Sequence, residues 1–397
     1  TDSSPYRVKH LVAKFFSSIN IFIQIKFLEF AKHIKIEEDT LYIYKNRIPK
    51  VITNNSIISE RIKQLGLYEP NYASIEKIDC FVNLEELCIR FFQDEELPDS
   101  IWKLKKLKLL KLEQCEISKL SASIKNLSNL EYLNLSCKIK NLPKEVSLLK
   151  NLKRLNLKRS YLLKKIVKLP ENLQELILDN ENLTLNDDVL NLPNLRKLEI
   201  INTKIKKLPD SIINCEKLYH LYIDTNIKDF ELSPQIGVLS KLDYLELNGL
   251  GIKNINFEFT NLKNLKEIMI FNTNITKIPD SICECFKLKD LTITESPITE
   301  LPINIGQLTA LSKLNLECTN IEKLRRSVSS LKKLRYLYIP EGVKLPSIFE
   351  EMENKGILNV DYTSHFDDSS RDDENSVESF ESEFGKINRA KDIWMFE

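Results

Sequence analysis

The chain has 397 residues, a formal net charge of +1 and a hydrophobic content of 42%. A charge this close to zero creates no global field for nucleic acid, so we expect no nucleic-acid partner. No apolar run reaches the roughly 18 residues that a membrane-spanning helix needs, so we expect no transmembrane segment. The eight cysteines show no paired spacing, which favours a reducing compartment and hence a cytoplasmic protein. The first residue is not methionine, which we take as a sign of trimming.

Residues 1–37 differ from the rest of the chain. Six apolar side chains fall on one face when the segment is drawn as a helix: Val8, Leu11, Val12, Phe15, Phe16 and Ile19. We interpret this segment as an N-terminal cap that covers the apolar end of the array that follows. A helix lying weakly on a membrane surface is the alternative, because Arg7, Lys9 and Lys14 would flank its apolar face.

A Leu-x-x-Leu-x-Leu motif then recurs every 21 to 24 residues, and it decides the fold class. A fixed period of this size is typical of a solenoid, in which each turn buries its apolar side chains only by stacking on its neighbours. This growth in one dimension overrides the two or three domains that the length alone would suggest. The twelve clear turns begin at Leu84, Leu107, Leu130, Leu152, Leu173, Leu195, Leu218, Leu242, Leu265, Leu288, Leu311 and Leu334.

Three weaker turns extend the array at its ends, so we place the solenoid at residues 38–363. Leu41 and Ile43 fit one turn, although its first leucine is missing. The two others are defined by two sets of apolar residues: Ile62, Leu65 and Leu67 before the clear repeats, and Ile357, Val360 and Tyr362 after them.

The motif predicts an α/β horseshoe with a parallel β-sheet on its concave face. Side chains alternate along an extended strand, so the second and third leucines point inward while their neighbours point outward. Parallel pairing needs a returning crossover, and the Leu-Pro-x-x-Ile half of each repeat predicts a short helical or 3₁₀ turn that begins at proline. Such turns need more room than strands, so the stack bends with the helical turns on the convex face.

A small polar residue or cysteine usually occupies the ninth position of the repeat. We expect its hydroxyl or thiol to satisfy backbone groups where the chain leaves the strand. The residues in this position include Cys115, Ser160, Thr203, Thr273, Ser296 and Thr319.

Residues 364–397 are expected to form an acidic, disordered tail with a short apolar C-terminus. Between 364 and 385 there are eight acidic residues against Arg371 alone. Such a stretch buries too little apolar surface to offset the entropy cost of ordering it.

The repeat register assigns a set of outward side chains to the concave face. Rings there are not needed for folding, and tyrosine and arginine are enriched in binding hot spots, so we predict a protein-binding surface. Cross-strand packing that only stiffens the sheet is the alternative. The candidate residues are His220, Tyr222, Tyr244, Met269, Phe271, Tyr336, Tyr338, Arg154 and Lys158.

The charged residues of this face suggest a change of sign along the array. The register assigns Lys111, Arg154, Lys158, Arg159 and Lys197 to an earlier, basic half, and Asp224, Glu246, Glu267, Asp290, Glu295 and Glu317 to a later, acidic half. Such a face would suit a dipolar partner or the chain's own acidic tail.

Catalytic motifs are not found in the sequence, so we expect no enzyme, no cofactor and no metal site. There is no P-loop, no GxGxxG and no HExxH. Only His220 among the four histidines falls on the concave face, where it has no nucleophile beside it. Cys283 and Cys285 form a C-x-C pair without a second pair, so buried packing explains them better than a metal does.

Residues 38–363 resemble the leucine-rich repeat superfamily. The segments Leu-Pro-Asp-Ser-Ile at 97–101 and 208–212, and Ile-Pro-Asp-Ser-Ile at 278–282, are similar to intracellular 23-residue repeats of Ras-group scaffolds and of plant nucleotide-binding immune receptors. Threonine in the ninth position, where the superfamily usually has asparagine, resembles the plant receptors most. The resemblance implies protein recognition through the concave sheet, although no nucleotide-binding module accompanies the repeats here.

Three functions follow from these observations. The first is a non-catalytic interaction scaffold or adaptor that binds a protein on its concave face. The second is a regulatory or sensing subunit of a signalling enzyme, such as a phosphatase, a small-GTPase pathway component or an immune-type ATPase. The third is a secreted or surface ligand-binding protein.

Overall fold

The computed structural model describes residues 34–37, 39–44, 56–166, 168–228 and 230–363. Most of the predicted N-terminal cap and the whole predicted acidic tail lie outside these residues. Within them the chain forms one sheet in which every strand pairs with the next strand in sequence. The organisation is therefore that of a stack, as the repeat predicts.

The sheet contains sixteen strands in the described part of the chain. Strand β1 pairs antiparallel with β2, and all later pairs are parallel. In chain order the strands are β1 (Ile34–Glu37), β2 (Thr40–Tyr44), β3 (Gln64–Tyr68), β4 (Glu86–Arg90), β5 (Leu109–Cys115), β6 (Tyr132–Cys137), β7 (Arg154–Lys158), β8 (Glu175–Asp179), β9 (Lys197–Ile201), β10 (His220–Asp224), β11 (Tyr244–Asn248), β12 (Glu267–Phe271), β13 (Asp290–Thr294), β14 (Lys313–Asn315), β15 (Tyr336–Pro340) and β16 (Asn359–Thr363).

The parallel strands β2 to β16 correspond one to one with the predicted turns. The weaker turns supply β2, β3 and β16. In the last turn, however, the expected first apolar position is wrong, because the side chain of Ile357 is 43% exposed and Leu358 is buried instead. No further turn stacks on β16 among the described residues, so none of these residues covers Ile357 from that side.

Short helices return the chain between strands. The 3₁₀ helices span Ile78–Cys80, Asp99–Lys103, Ala122–Asn126, Lys144–Leu148, Asp210–Asn214, Pro234–Val238, Asp280–Glu284, Ile305–Gln307 and Arg326–Ser330. Three α-helices, α1 (Ser56–Arg61), α2 (Tyr72–Ile75) and α3 (Ser347–Asn354), lie near the ends of the array. Proline is the N-cap of five of these helices, and only Pro234 opens one. The carbonyl of Pro98, for example, accepts a hydrogen bond from the amide of Ile101 at 3.1 Å.

The core is a set of stacked leucine and isoleucine rows between the strands and these helices. Leu221, Leu245 and Ile268 occupy the same register position in β10, β11 and β12, and all are fully buried. Parallel strands lie about 4.8 Å apart, whereas packed helices need about 8–10 Å. The sheet therefore lines the concave side and the helices the convex side, as predicted.

The ninth-position residues are buried, and most of them bond to the backbone as expected. The hydroxyl of Ser160 donates to the carbonyl of Leu135 at 2.5 Å, and that of Thr319 donates to the carbonyl of Leu316 at 2.7 Å. Thr203 is the exception, since its buried hydroxyl has no hydrogen-bond partner among the described residues. Cys283 and Cys285 are buried in the core as interpreted from the sequence.

A left-handed residue ends many of the strands. Gly249 adopts φ +66° after β11, and Arg159 and Glu295 adopt φ +62° and +50° after β7 and β13. This conformation turns the chain away from the sheet. Arg159 and Glu295, assigned to the concave face from the sequence, therefore lie past the strand ends.

Two uses of asparagine were not predicted from the leucine pattern. Asparagine immediately before the first leucine of a repeat donates to a carbonyl one turn earlier, as Asn129 does to Lys105 and Asn151 to Ser128, each at 2.8 Å. Asn180, 1% exposed, donates to the carbonyls of Ser160 and Leu163 at 2.6 and 2.5 Å. These bonds tie successive turns together outside the sheet.

Candidate protein-binding site on the concave sheet

Three neighbouring strands bring five of the predicted site residues together. Along β10, β11 and β12 buried residues alternate with half-buried ones, and the half-buried set faces the concavity. Register pairs connect His220 to Tyr244, Tyr222 to Glu246 and Glu246 to Met269. We call His220, Tyr222, Tyr244, Met269 and Phe271 the ring patch.

The ring patch is partly organised by stacking between strands. The rings of His220 and Tyr244 lie parallel, with centroids 4.4 Å apart and an interplanar angle of 3°. Burial, with a smaller contribution from the charge of Lys197, lowers the pKa of His220 to about 3. The imidazole is therefore neutral at physiological pH and presents a flat, uncharged surface.

Carboxylates orient the two tyrosines of the ring patch. The hydroxyl of Tyr222 donates to Oδ2 of Asp224 at 2.9 Å, and the hydroxyl of Tyr244 donates to Glu246. Burial and the neighbouring carboxylates raise the pKa of both tyrosines above the ordinary value. Both phenols thus stay protonated and hold fixed positions on the face.

Tyr336 and Tyr338 lie on the same face but apart from the ring patch. They belong to β15, three strands beyond β12, which is about 14 Å at the usual strand spacing. The side chain of Tyr336 is 49% exposed, more than any residue of the ring patch.

Arg154 and Lys158 also lie apart, on β7. The guanidinium of Arg154 stacks over the ring of Tyr132, 4.6 Å from its centroid. Arg154 and Tyr132 line a groove of about 460 Å³ at the beginning of strands β4 to β8, together with Glu86 and Glu175. Lys158 is exposed at the opposite end of β7. The predicted site is therefore three separate groups of residues rather than one.

The predicted change from a basic to an acidic half is wrong for the earlier half. The leucine register correctly placed Lys111, Arg154, Lys158 and Lys197 but not Arg159, and carboxylates alternate with these basic residues along and across the strands. The outward positions of β4 to β9 hold five basic and five acidic side chains: Arg90, Lys111, Arg154, Lys158, Lys197, Glu86, Glu113, Glu175, Asp179 and Glu199.

The later half is acidic, as predicted. The outward positions of β10 to β15 carry Lys313 against four carboxylates, Asp224, Glu246, Glu267 and Asp290. Glu317 follows β14 and accepts a hydrogen bond from the amide of Asn315 at 2.8 Å. Negatively charged groups would be repelled at this half.

The described residues contain no group of three or more histidine, cysteine or acidic side chains that is arranged to hold a metal ion. Within the same residues, no helix has the length and apolar composition needed to cross a bilayer. All eight cysteines are free thiols, and burial raises the pKa of Cys88 and Cys215 to about 12. These two thiols are protonated at physiological pH and are not nucleophiles.

The described residues form an open stack of parallel strands joined by short return helices. This architecture is that of the solenoid proteins, whose concave faces are extended surfaces. Residues 279–369 match the family model described as a leucine-rich repeat region. The chain thus contains a leucine-rich repeat region.

A curated relative and two solved structures show what the chain is similar to. A putative disease resistance protein of Arabidopsis thaliana is 27% identical over 200 residues, which cover 44% of this chain and 17% of that protein. An internalin from Listeria monocytogenes is 18% identical with a TM-score of 0.56, and the match covers 83% of this chain and 88% of that one. The ectodomain of a plant receptor kinase from Arabidopsis thaliana, in complex with Casparian strip integrity factor 2, has a TM-score of 0.54 at 20% identity, covering 81% of this chain and 44% of that one.

The chain thus spans less than a fifth of the length of that curated relative. At these identities the two solved structures bear on the fold alone. Both are solenoids of the same class, which agrees with the sheet and the return helices seen here.

Proposed function

We propose that this chain is a non-catalytic scaffold or adaptor that binds a protein partner on its concave face. The main support for this proposal is the ring patch. Its side chains stand on the opposite side of β10, β11 and β12 from the leucines that fill the core. Large rings that the core does not use are characteristic of binding hot spots.

The fixed geometry of the patch supports the same function. The His220–Tyr244 stack and the tyrosine–carboxylate hydrogen bonds hold the rings before a partner arrives. A surface ordered in advance loses less side-chain entropy on binding. The receptor kinase ectodomain of similar fold is itself seen in complex with a partner.

The cytoplasm is the compartment that we propose for this protein. Each of its eight cysteines is a free thiol, and five of them are buried. Secreted proteins more often pair their cysteines in disulfides.

The identity of the partner would distinguish a second candidate function. The similarity to a putative disease resistance protein favours a sensing part of a signalling enzyme. In that case the captured partner would be one enzyme in a fixed ratio to this chain.

Replacing Tyr222, Tyr244 and Phe271 together with alanine tests the proposal. We expect capture of the partner by the tagged full chain to fall by about a hundredfold or more, because several hot-spot rings are lost at once. Thermal unfolding should shift only modestly, since the lost stacking contributes about 1 kcal/mol. Quantitative mass spectrometry after affinity purification measures the capture.

The matched control replaces three rings that are exposed elsewhere, Tyr72, Tyr161 and Phe286, with alanine. This variant should retain the partner. Equal loss in both variants, or a loss that follows unfolding of the ring-patch variant, would show that the rings are structural.

A further inference from the structure

The acidic half of the concave face holds three carboxylates that form no ion pair with the described residues. Some acids elsewhere on the sheet pair with bases: Nε of Arg90 lies 2.6 Å from Glu113, and Nζ of Lys197 lies 2.7 Å from Glu199. Among the described residues, no lysine or arginine forms an ion pair with Asp224, Glu246 or Glu267. Three adjacent strands thus carry three half-buried carboxylates that form no ion pair, although Lys266 and Lys313 act on Glu267 from their own pairs with Asp243 and Asp290.

The hydrogen bonds of these carboxylates do not neutralise them. Asp224 and Glu246 accept from the neutral hydroxyls of Tyr222 and Tyr244. Burial raises the pKa of Glu246, and the charges of Asp224 and Glu199 raise it further. Burial and the charges of Asp290 and Asp243 raise the pKa of Glu267, and the charges of Lys313 and Lys266 offset only part of this rise. A cation brought to this face would relieve that repulsion.

The three carboxylates lie on a diagonal across the sheet. In β10 the residue opposite Glu246 is Tyr222, and Asp224 lies two residues after it. In β12 the residue opposite Glu246 is Met269, and Glu267 lies two residues before it. Neighbouring carboxylates on the diagonal are thus one strand and two residues apart, which is a distance of about 8 Å.

An extended peptide matches this spacing. Alternate residues of a strand point to the same side and lie about 6.7 Å apart, so long, flexible side chains can bridge the remaining distance. The rings of Tyr222, Tyr244 and Phe271 flank the diagonal. Arginine and lysine place their stems along such rings and their charged heads on carboxylates.

We propose that the partner contributes an extended, cationic segment, with arginine or lysine at alternate positions, that crosses β10, β11 and β12 on the carboxylates Asp224, Glu246 and Glu267. This inference rests on the proposed function, because it names the chemistry of the segment that the concave face would take.

A fluorescent decapeptide of alternating arginine and serine is the probe, titrated with the full chain and read by anisotropy. Decapeptides that alternate glutamine or glutamate with serine serve as comparisons. We expect only the arginine peptide to bind. The substitutions Asp224→Asn, Glu246→Gln and Glu267→Gln, made together, should weaken it by about tenfold or more, since they remove three charge pairs.

The control variant removes the same net charge from elsewhere on the solenoid: Glu181→Gln, Glu322→Gln and Glu341→Gln. It should bind the arginine peptide within about twofold of the parent chain, because general electrostatic attraction changes little. Circular dichroism melting shows that both variants fold.

Equal weakening by the two variants, or no preference for the arginine peptide, overturns the proposal. This failure is distinct from failure of the proposed function. If alanine at Tyr222, Tyr244 and Phe271 abolishes partner capture while the arginine peptide does not bind, the face is a binding site for a segment of another chemistry. If those alanines leave capture unchanged, the ring patch is not the binding site.

Discussion

Leu245→Ala is expected to lower the free energy of unfolding by about 2–5 kcal/mol. Leu245 is fully buried in β11, between Leu221 and Ile268 of the neighbouring strands. Removing its side chain leaves a cavity that two stacked turns share, and a regular stack has little freedom to collapse around it. Urea unfolding followed by circular dichroism measures the change.

Leu148→Ala is the matched control for this prediction. The side chain of Leu148 is 58% exposed, so its removal should change the unfolding free energy by less than about 0.5 kcal/mol. Contacts in a solenoid extend only to neighbouring turns. A defect at Leu245 can therefore cause the two ends of the array to unfold in separate transitions. Similar losses in the two variants would contradict the assignment of the core rows.

Asn180→Asp is expected to destabilise the protein by about 3–5 kcal/mol near neutral pH. The amide nitrogen of Asn180 donates to two carbonyls, and its Oδ1 accepts from the amide of Asn182 at 2.8 Å. A carboxylate there would be buried against two carbonyl oxygens without a donor to offer them.

The pH dependence separates this effect from a packing defect. Burial against carbonyl oxygens raises the folded-state pKa of the new aspartate above its unfolded value. The folded state then binds more protons than the unfolded state. The stability of the variant therefore falls as the pH rises from the unfolded-state pKa to the folded-state pKa of this aspartate. Asn274→Asp, at an exposed position, should show no comparable loss. A loss for Asn180→Asp that is equal at pH 4.5 and pH 8 would contradict the account.

The leucine spacing was sufficient to predict the architecture. The motif alone gives the periodic burial, the parallel register and the side on which each strand residue lies, because all three follow from side-chain alternation. It placed the rings of Tyr222 and Tyr244 on the concave face. The cap residue Pro98 and the exposed Ile357 differ from the prediction only in local detail.

The electrostatics of the site could not be predicted in the same way. Four basic residues of the earlier half, Lys111, Arg154, Lys158 and Lys197, were identified and Arg90 was not. Whether a charge is neutralised depends on which residue faces which across the strands. Arg90 meets Glu113 only because β4 and β5 align in that register. The role of Asn180 was also missed, since its repeat is shortened and the residue falls one position early relative to its neighbours such as Ser160.

Hydroxyl-radical footprinting of the complex between the tagged chain and its captured partner tests the central claim most directly. Tyrosine, phenylalanine, methionine and histidine react readily with the radical, so the ring patch carries its own reporters. We predict that oxidation of Tyr222, Tyr244, Met269 and Phe271 falls in the complex, while Phe286 and other exposed rings away from the sheet react as in the free protein. Unchanged oxidation of the ring patch, with protection of Phe286 instead, would place the partner on the other side of the solenoid and contradict the account.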